Sequence, residues 1–272
     1  MIPPLIKTFI KNRSYLKKAG VVLEYVEGDG APYIYVNNPI IISSLAGYLK
    51  NRNAEEGVYF RGEAGNHAHV VPSLFRENSG PMTDTRAIQN RFKAYNELKT
   101  AVLRHYNKTV SRFKKEDIDN LFQHYGIKSP VIDMVDNIYV AIWFAMDGNK
   151  DEHGYIRFMN TNSKNLVVSD LRKNHSSLSL RLHTQHGLIA KKNVKTWNAK
   201  NILYDEYEIA RVKFPINKNI ESGILFSGEN MYPDISLDNT FKILRSAAWL
   251  KDKIAAIEQK YKLEKGTLGE VK

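Results

Sequence analysis

The chain contains no cysteine among its 272 residues. Disulfides, thiolate metal sites and cysteine nucleophiles are therefore excluded. The absence fits a reducing cytoplasm, which is the expected location. No run of about 18 apolar residues exists, as a membrane-spanning helix would need. The opening "MIPPLIKTFIKNRSYLKKAG" is basic and amphipathic, without an apolar stretch followed by a small-residue cleavage site. Several catalytic signatures are also missing: GxxxxGK[ST], a GxGxxG after a strand, HExxH and GxSxG. There is no internal repeat, no low-complexity segment and no Pro/Gly linker that would separate two domains. The expectation is one α+β domain.

What is present in excess is positive charge. The formal net charge is +11, from 40 Lys and Arg against 29 Asp and Glu. It is spread over "KNRSYLKKAG", "RFKKED", "LRKNH" and "AKKNVK" and not gathered in one tail. Charge of this size favours nucleic acid or another polyanion as partner. With 43% hydrophobic residues, the chain also has ample material for a core.

Local patterning predicts the elements. After a basic N-terminal helix or arm, "VVLEYVEGDGAPYIYVNN" reads as a β-hairpin turning at Gly28-Asp29-Gly30-Ala31-Pro32. "NPIIISSLAGYLKNR" reads as a helix with Asn38 as N-cap and Pro39 at the first position. Val58-Tyr59-Phe60 forms a strand that delivers Arg61, Gly62 and Glu63. From Asp84 to Asn107, apolar residues recur every three or four positions, which predicts an amphipathic helix. A short helix in "KKEDIDNLFQHYG" stops at Gly126, and another covers Val140 to Met146. Strands are predicted in "GYIRFMN" (155–159), in "LSLRLHTQHGLIAKK" (182–190) and over 203–214. The end of the chain reads as helix. Residues 1–54 form a basic helix and hairpin, 55–250 the main domain, and 251–272 a helix end and charged tail.

Three clusters put polar side chains where the pattern asks for apolar ones, as functional sites often do. They are Arg61-Gly62-Glu63, then Gln123-His124-Tyr125-Gly126 with Asp133, then Arg181 to Gly187 with His183, Gln185 and His186. Each could equally be a buried structural network, with Arg61 paired to Asp133. The pairs His67/His69 and His183/His186 lack a carboxylate at ligand spacing, so no metal is expected. Glu206-Tyr207-Glu208 places two carboxylates at i and i+2, which on a strand would share a face. An ordinary solvent-facing pair is the preferred reading.

The order "YFRGE…PSLFR", "QHYGIKSPVIDMVDNIYVAIWFA", "RLHTQHGLI", "MYPDI" resembles the FRG domain family over roughly residues 55–245. The family's Phe-Arg-Gly stands here as Phe60-Arg61-Gly62. "SPVID" replaces its usual Thr-x-Leu-Leu-Asp. A weaker resemblance is to ADP-ribosyltransferases, whose motifs fall in a similar order. That resemblance implies a central mixed β core of ADP-ribosyltransferase-like type with flanking helices, and NAD as substrate. It further implies that Arg61, His124, Asp133 and Gln185 do the chemistry. Arg61, Gly62, Tyr125, Phe144 and Gln185 would hold NAD, with Tyr125 as the stacking surface. Gln185 would stand where such enzymes carry their catalytic glutamate. A glutamine supplies no negative charge to an oxocarbenium-like transition state, so a carboxylate would have to come from Glu63, Asp133 or Glu208.

The expected function is an NAD-dependent ADP-ribosyltransferase-like toxin or phage-defence effector that modifies nucleic acid, RNA rather than DNA. An antitoxin or regulator protein would be a natural partner. The alternative is a non-enzymatic FRG module that binds nucleic acid or a nucleotide and acts through a partner. A metal-free nuclease with His124 as base is a third possibility.

Overall fold

Pro4 opens the first helix of the chain, α1 (Pro4–Lys11), where a missing N–H costs nothing. The computed structural model describes residues 3–27, 31–53, 57–77, 80–106, 118–174, 180–185, 187–217, 227–234, 236–245 and 247–270. After α1 come β1 (Leu23–Val26), β2 (Tyr33–Val36), α2 (Pro39–Arg52), β3 (Val58–Glu63), β4 (Arg76–Glu77) and β5 (Gly80–Pro81). Next are α3 (Thr85–Tyr106), α4 (Ile118–His124), β6 (Ile132–Val135), α5 (Ile138–Met146), β7 (His153–Asn160) and β8 (Leu166–Asp170). The chain continues through α6 (Leu171–Asn174), α7 (Leu180–Thr184), β9 (Gly187–Lys192) and β10 (Glu208–Pro215). It ends in α8 (Gly228–Met231), α9 (Asn239–Arg245) and α10 (Ala248–Lys260). The α+β class expected from the sequence is the one built. No described helix is long and apolar enough to cross a membrane.

Contacts divide the chain into two compact units, each assembled from three stretches of sequence. No linker marks the division because the chain passes from one unit to the other several times. The first unit comprises residues 1–68, 134–163 and 205–228. Its sheet runs β1-β2-β10-β7-β3, with Val135 of β6 opposite Phe60. The β2–β10 pair is parallel and the others are antiparallel, so the sheet is mixed. Alternation along the strands sends Ile34, Val36, Val58, Phe60, Ile156, Phe158, Val212 and Phe214 to one face, where all are buried. Phe60 and Phe158 meet edge to face at 5.3 Å.

Helices α2 and α5 pack on this apolar side. The side chain of Asn38 caps α2 and that of Asn137 caps α5, each accepting the N–H two residues on at 2.9 Å. Helix α5 is apolar almost all round, and six of its nine residues are buried. It lies directly on β3. A Cβ added to Gly62 would stand 1.9 Å from the carbonyl oxygen of Ala141 and 2.8 Å from the nitrogen of Ala145. The glycine of "FRG" is thus what lets the helix backbone touch the strand.

The second unit comprises residues 69–133, 164–204 and 229–272. Its core gathers Phe75, Ile88, Tyr95, Leu98, Phe122, Tyr125, Trp197, Leu250 and Ile257, among others. Asp119, buried at the start of α4, ties three parts of the unit together. It accepts from the Tyr95 hydroxyl at 2.5 Å, from Lys99 Nζ at 2.7 Å and from Lys191 Nζ at 2.6 Å. Beyond α10 the chain turns back. The carboxylate of Glu258 accepts the N–H groups of Gly266 (3.1 Å) and Leu268 (2.8 Å), and Leu268 is buried in the core.

Two strand expectations are corrected. The strand expected over 182–190 divides into the helix α7 and the strand β9, which pairs antiparallel with β8. The one expected over 203–214 begins only at Glu208, because Asp205–Tyr207 forms a 3-10 turn. In both places polar residues interrupt the apolar alternation, and the backbone leaves the sheet there. The glycine turn expected at 28–30 lies outside the described residues.

Candidate functional site

The residues singled out in the sequence fall into both units. Arg61, Gly62 and Phe144 belong to the first, and His124, Tyr125, Asp133 and Gln185 to the second.

In the first unit, Arg61 and Glu63 point to the sheet face opposite Gly62, because strand residues alternate. Arg61 Nε donates to Glu63 Oε1 at 2.9 Å, and Arg157 Nε donates to Glu63 Oε2 at 2.6 Å. Arg157 is wholly buried, and its Nη1 donates to Glu208 Oε2 at 2.6 Å. Arg211 donates twice to the same carboxylate, at 2.7 and 2.8 Å. The carbonyl of His67 accepts from both Arg157 and Arg211, and Asn66 Oδ1 from Arg211. Burial alone would raise the pKa of Glu63. The guanidinium groups of Arg61 and Arg157 outweigh it and hold the carboxyl below its usual range.

Three guanidinium groups and two carboxylates therefore form one linked network, and Arg61 is an ion-pair partner in it. Glu63 and Glu208, expected as possible substitutes for a catalytic glutamate, are both engaged. The solvent-facing reading holds for Glu206, exposed on the 3-10 turn, but not for Glu208, which is 13% exposed between two arginines. Phe144 is partly buried on α5, its ring 5.2 Å from that of Trp143.

The second unit holds a different arrangement. His124 ends α4, and Gly126 follows with a φ of +93°, a conformation that suits glycine. The imidazole Nδ1 lies 2.9 Å from Gln185 Oε1. Gln185 Nε2 in turn donates to the carbonyl of Met231 at 2.9 Å, which fixes the orientation of the amide. With Oε1 turned to the ring, Nδ1 must carry the proton and Nε2 the lone pair. Nε2 is covered and has no hydrogen-bond partner among the described residues. The backbone of β9 passes close by: a Cβ on Gly187 would stand 3.4 Å from this nitrogen. Burial lowers the pKa of His124, opposed by Asp133 and Gln185 and assisted by Arg181. The imidazole is held neutral, with an accepting nitrogen unused.

Arg181, on α7, is the second member. Its Nη1 donates to the carbonyl of His124 at 2.9 Å, and its backbone N–H to Asp238 at 3.0 Å. The guanidinium carbon lies 5.4 Å from the ring centre of Tyr125 and 5.2 Å from that of Tyr232. Burial lowers its pKa, against the pull of Tyr125, Asp238 and Tyr232. Tyr125, expected as a stacking surface, offers no free ring. It is fully buried, and its hydroxyl donates to the Asp238 carboxylate at 2.8 and 3.0 Å. The accessible ring of this cluster is Tyr232, 40% exposed. It lies in the "MYPDI" segment, a signal present in the sequence. Asp238, buried beneath it, had no signal, because "LDN" before a helix reads as an ordinary cap.

His67 and His69 are exposed loop residues, His183 is partly buried on α7, and His186 lies outside the described residues. No group of three metal-ligating side chains is gathered among the described residues.

No curated protein and no solved structure matches the chain. A family model does match, over residues 56–154, which run from the approach to β3 through α4, β6 and α5 into β7. Those residues carry the Phe-Arg-Gly strand, the capped helix that rests on its glycine, and His124, so the chain carries an FRG domain.

Proposed function

We propose that the chain is an NAD-dependent ADP-ribosyltransferase-like enzyme acting on nucleic acid, RNA in preference to DNA, and serving as a toxin or phage-defence effector. The observation that carries this reading is the bare, covered Nε2 of a neutral His124, with its tautomer fixed by Gln185. A buried imidazole in this state is a proton acceptor, the part a group transfer needs on the side of the attacking group. In the proposed reaction the bond between nicotinamide and ribose breaks and nicotinamide leaves as a neutral molecule. An acceptor hydroxyl or amine bonds to the ribose carbon, and its proton passes to His124 Nε2. Arg181, held by the backbone carbonyl of His124, supplies a fixed positive charge near the imidazole for the phosphates of the substrate. Glu63 and Glu208 are consumed by Arg157, so Asp133, which acts electrostatically on His124, is the carboxylate assigned to the developing positive charge.

The test is incubation with labelled NAD and separate RNA, DNA and protein acceptors. RNA should be labelled, and His124→Ala should lose the label while remaining folded. Absence of label on every acceptor would remove the enzyme.

The engagement of both Glu63 and Glu208 in ion pairs favours the second reading, a non-enzymatic module that binds nucleic acid or a nucleotide and acts through a partner. NAD separates the two. A transferase must bind it, and a hundredfold excess over the dissociation constant stabilises a protein by about 2.7 kcal/mol. A module that binds nucleic acid alone shows no such shift, and one that binds a nucleotide shows the shift without transferring label.

A further inference from the structure

The sheet of the first unit has a second face, opposite the one that α2 and α5 cover. Register places Tyr35, Lys213 and Tyr155 in one row across β2, β10 and β7, with Glu63 next on β3. Tyr33, two residues before Tyr35, is level with Arg211, and His153, two residues before Tyr155, lies on the other side of the row, opposite Pro215. All five of Tyr33, Tyr35, His153, Tyr155 and Lys213 are partly exposed. Tyr33 and Tyr155 meet edge to face at 6.3 Å, and Tyr35 and His153 lie 6.1 Å apart. Lys213 Nζ sits 5.4 Å from the Tyr33 ring centre and 5.9 Å from that of Tyr155. It has no carboxylate partner among the described residues. The row behind it is the arginine row Arg61–Arg157–Arg211. Acidic side chains stand at the margins: Glu24 opposite Tyr35, and Asp151 and Glu152 beyond His153.

We propose that this face binds single-stranded RNA, its bases stacking on Tyr33, Tyr35 and Tyr155 and its phosphates meeting Lys213. Aromatic rings set out on an open sheet face, with a cation between them, are what unpaired bases and their backbone require. A duplex hides its bases and cannot use the rings. The net charge of +11 supplies the long-range attraction. The proposal deepens the reading of RNA as acceptor and rests on it, and it gives a function to residues that the proposed chemistry does not use.

The experiment is fluorescence anisotropy with a labelled single-stranded oligoribonucleotide, compared with an RNA duplex, at about 50 mM salt. Tyr33→Ala and Tyr155→Ala should each weaken binding by roughly 5- to 100-fold. Tyr33→Phe and Tyr155→Phe keep the ring and should bind as the unaltered protein does. Lys213→Gln should flatten the salt dependence by about one phosphate contact. If an alanine variant fails to fold, the phenylalanine and Lys213 variants still decide. Alanine variants that bind normally, phenylalanine variants that lose as much as alanine, or a duplex bound as tightly as the single strand would each overturn the proposal. The same variants are assayed for hydrolysis of NAD by water, which needs no RNA. Lost RNA binding with NAD hydrolysis intact supports the face. Ring-dependent RNA binding without any NAD turnover leaves the face standing and removes the transferase. An unaltered protein that binds no RNA removes the face, and labelling of other acceptors then decides the transferase on its own.

Discussion

His124 holds its proton on the nitrogen that faces Gln185, and this gives the residue-scale chemistry a measurable sign. Its folded pKa lies below the ordinary histidine value of about 6.5. The unfolded chain therefore binds this proton more readily. Stability from His124 is complete above about pH 6.5 and is lost as the pH falls through the lowered value. The acid limb of any His124-dependent activity should also lie below 6.5. Gln185→Glu would put a negative charge beside Nδ1, favour the imidazolium and move that limb to higher pH, which a pH–rate profile or an imidazole NMR titration would record. An unmoved limb would show that His124 is not the titrating group. Arg61 leads to a second prediction. Glu63 keeps Arg157 as a partner when Arg61 is changed, so Arg61→Lys should cost about 1–3 kcal/mol in urea unfolding and leave any NAD-induced stabilisation in place. Loss of that stabilisation at unchanged stability would make Arg61 a ligand-holding residue after all.

At the scale of elements, the contact between β3 and α5 sets the geometry of the FRG segment. Phe60 and Gly62 face the helix, and Arg61 and Glu63 face away. One strand thereby serves an apolar core on one side and an ion-pair network on the other. Gly62→Ala forces a methyl group into the Ala141 carbonyl at 1.9 Å, so the helix must lift from the strand. The cost should exceed the roughly 1–3 kcal/mol usual for overpacking, and loss of the cooperative thermal transition by circular dichroism is the expected outcome. Gly47, inside α2, has nothing within 4 Å of its added Cβ. There the same substitution should stabilise by about 0.5–1 kcal/mol, because alanine favours a helix interior. Equal effects at the two glycines would contradict the packing described.

At the scale of the molecule, two buried carboxylates keep their charge under cover. Glu63 is held below the usual range by Arg61 and Arg157, and Asp119 by Lys191 and Lys99, in each case against burial. Folded pKa values below the unfolded ones mean stability that is present above about pH 4.5 and 3.8 respectively. It is lost as the pH falls further, because the unfolded chain then takes up the protons first. Asp119→Asn removes the buried negative charge that Lys99 and Lys191 share and turns one of its two acceptor oxygens into a donor. It should lower stability at pH 7 by about 3–5 kcal/mol and reduce the acid dependence of unfolding, both read from denaturant midpoints across pH. A variant as stable as the parent at pH 7 would show that the cluster is not a tie.

The sequence alone determined the elements whose signals are local. Asn38-Pro39 starts its helix as a cap does anywhere, the long helix Thr85–Tyr106 follows from its apolar period, and Val58-Tyr59-Phe60 alternates as a half-buried strand must. The Phe-Arg-Gly motif and its downstream partners were legible for the same reason, as short contiguous patterns. What only the tertiary structure decided is which side chain meets which. That Arg61 is spent on Glu63, that Tyr125 is buried on Asp238 while Tyr232 stays accessible, and that Gln185 fixes the tautomer of His124 all depend on residues distant in the chain. The aromatic row of Tyr35, Lys213 and Tyr155 comes from three strands far apart in sequence. Its physical origin is strand register, which hydrogen bonds between non-neighbouring segments set and no local pattern encodes.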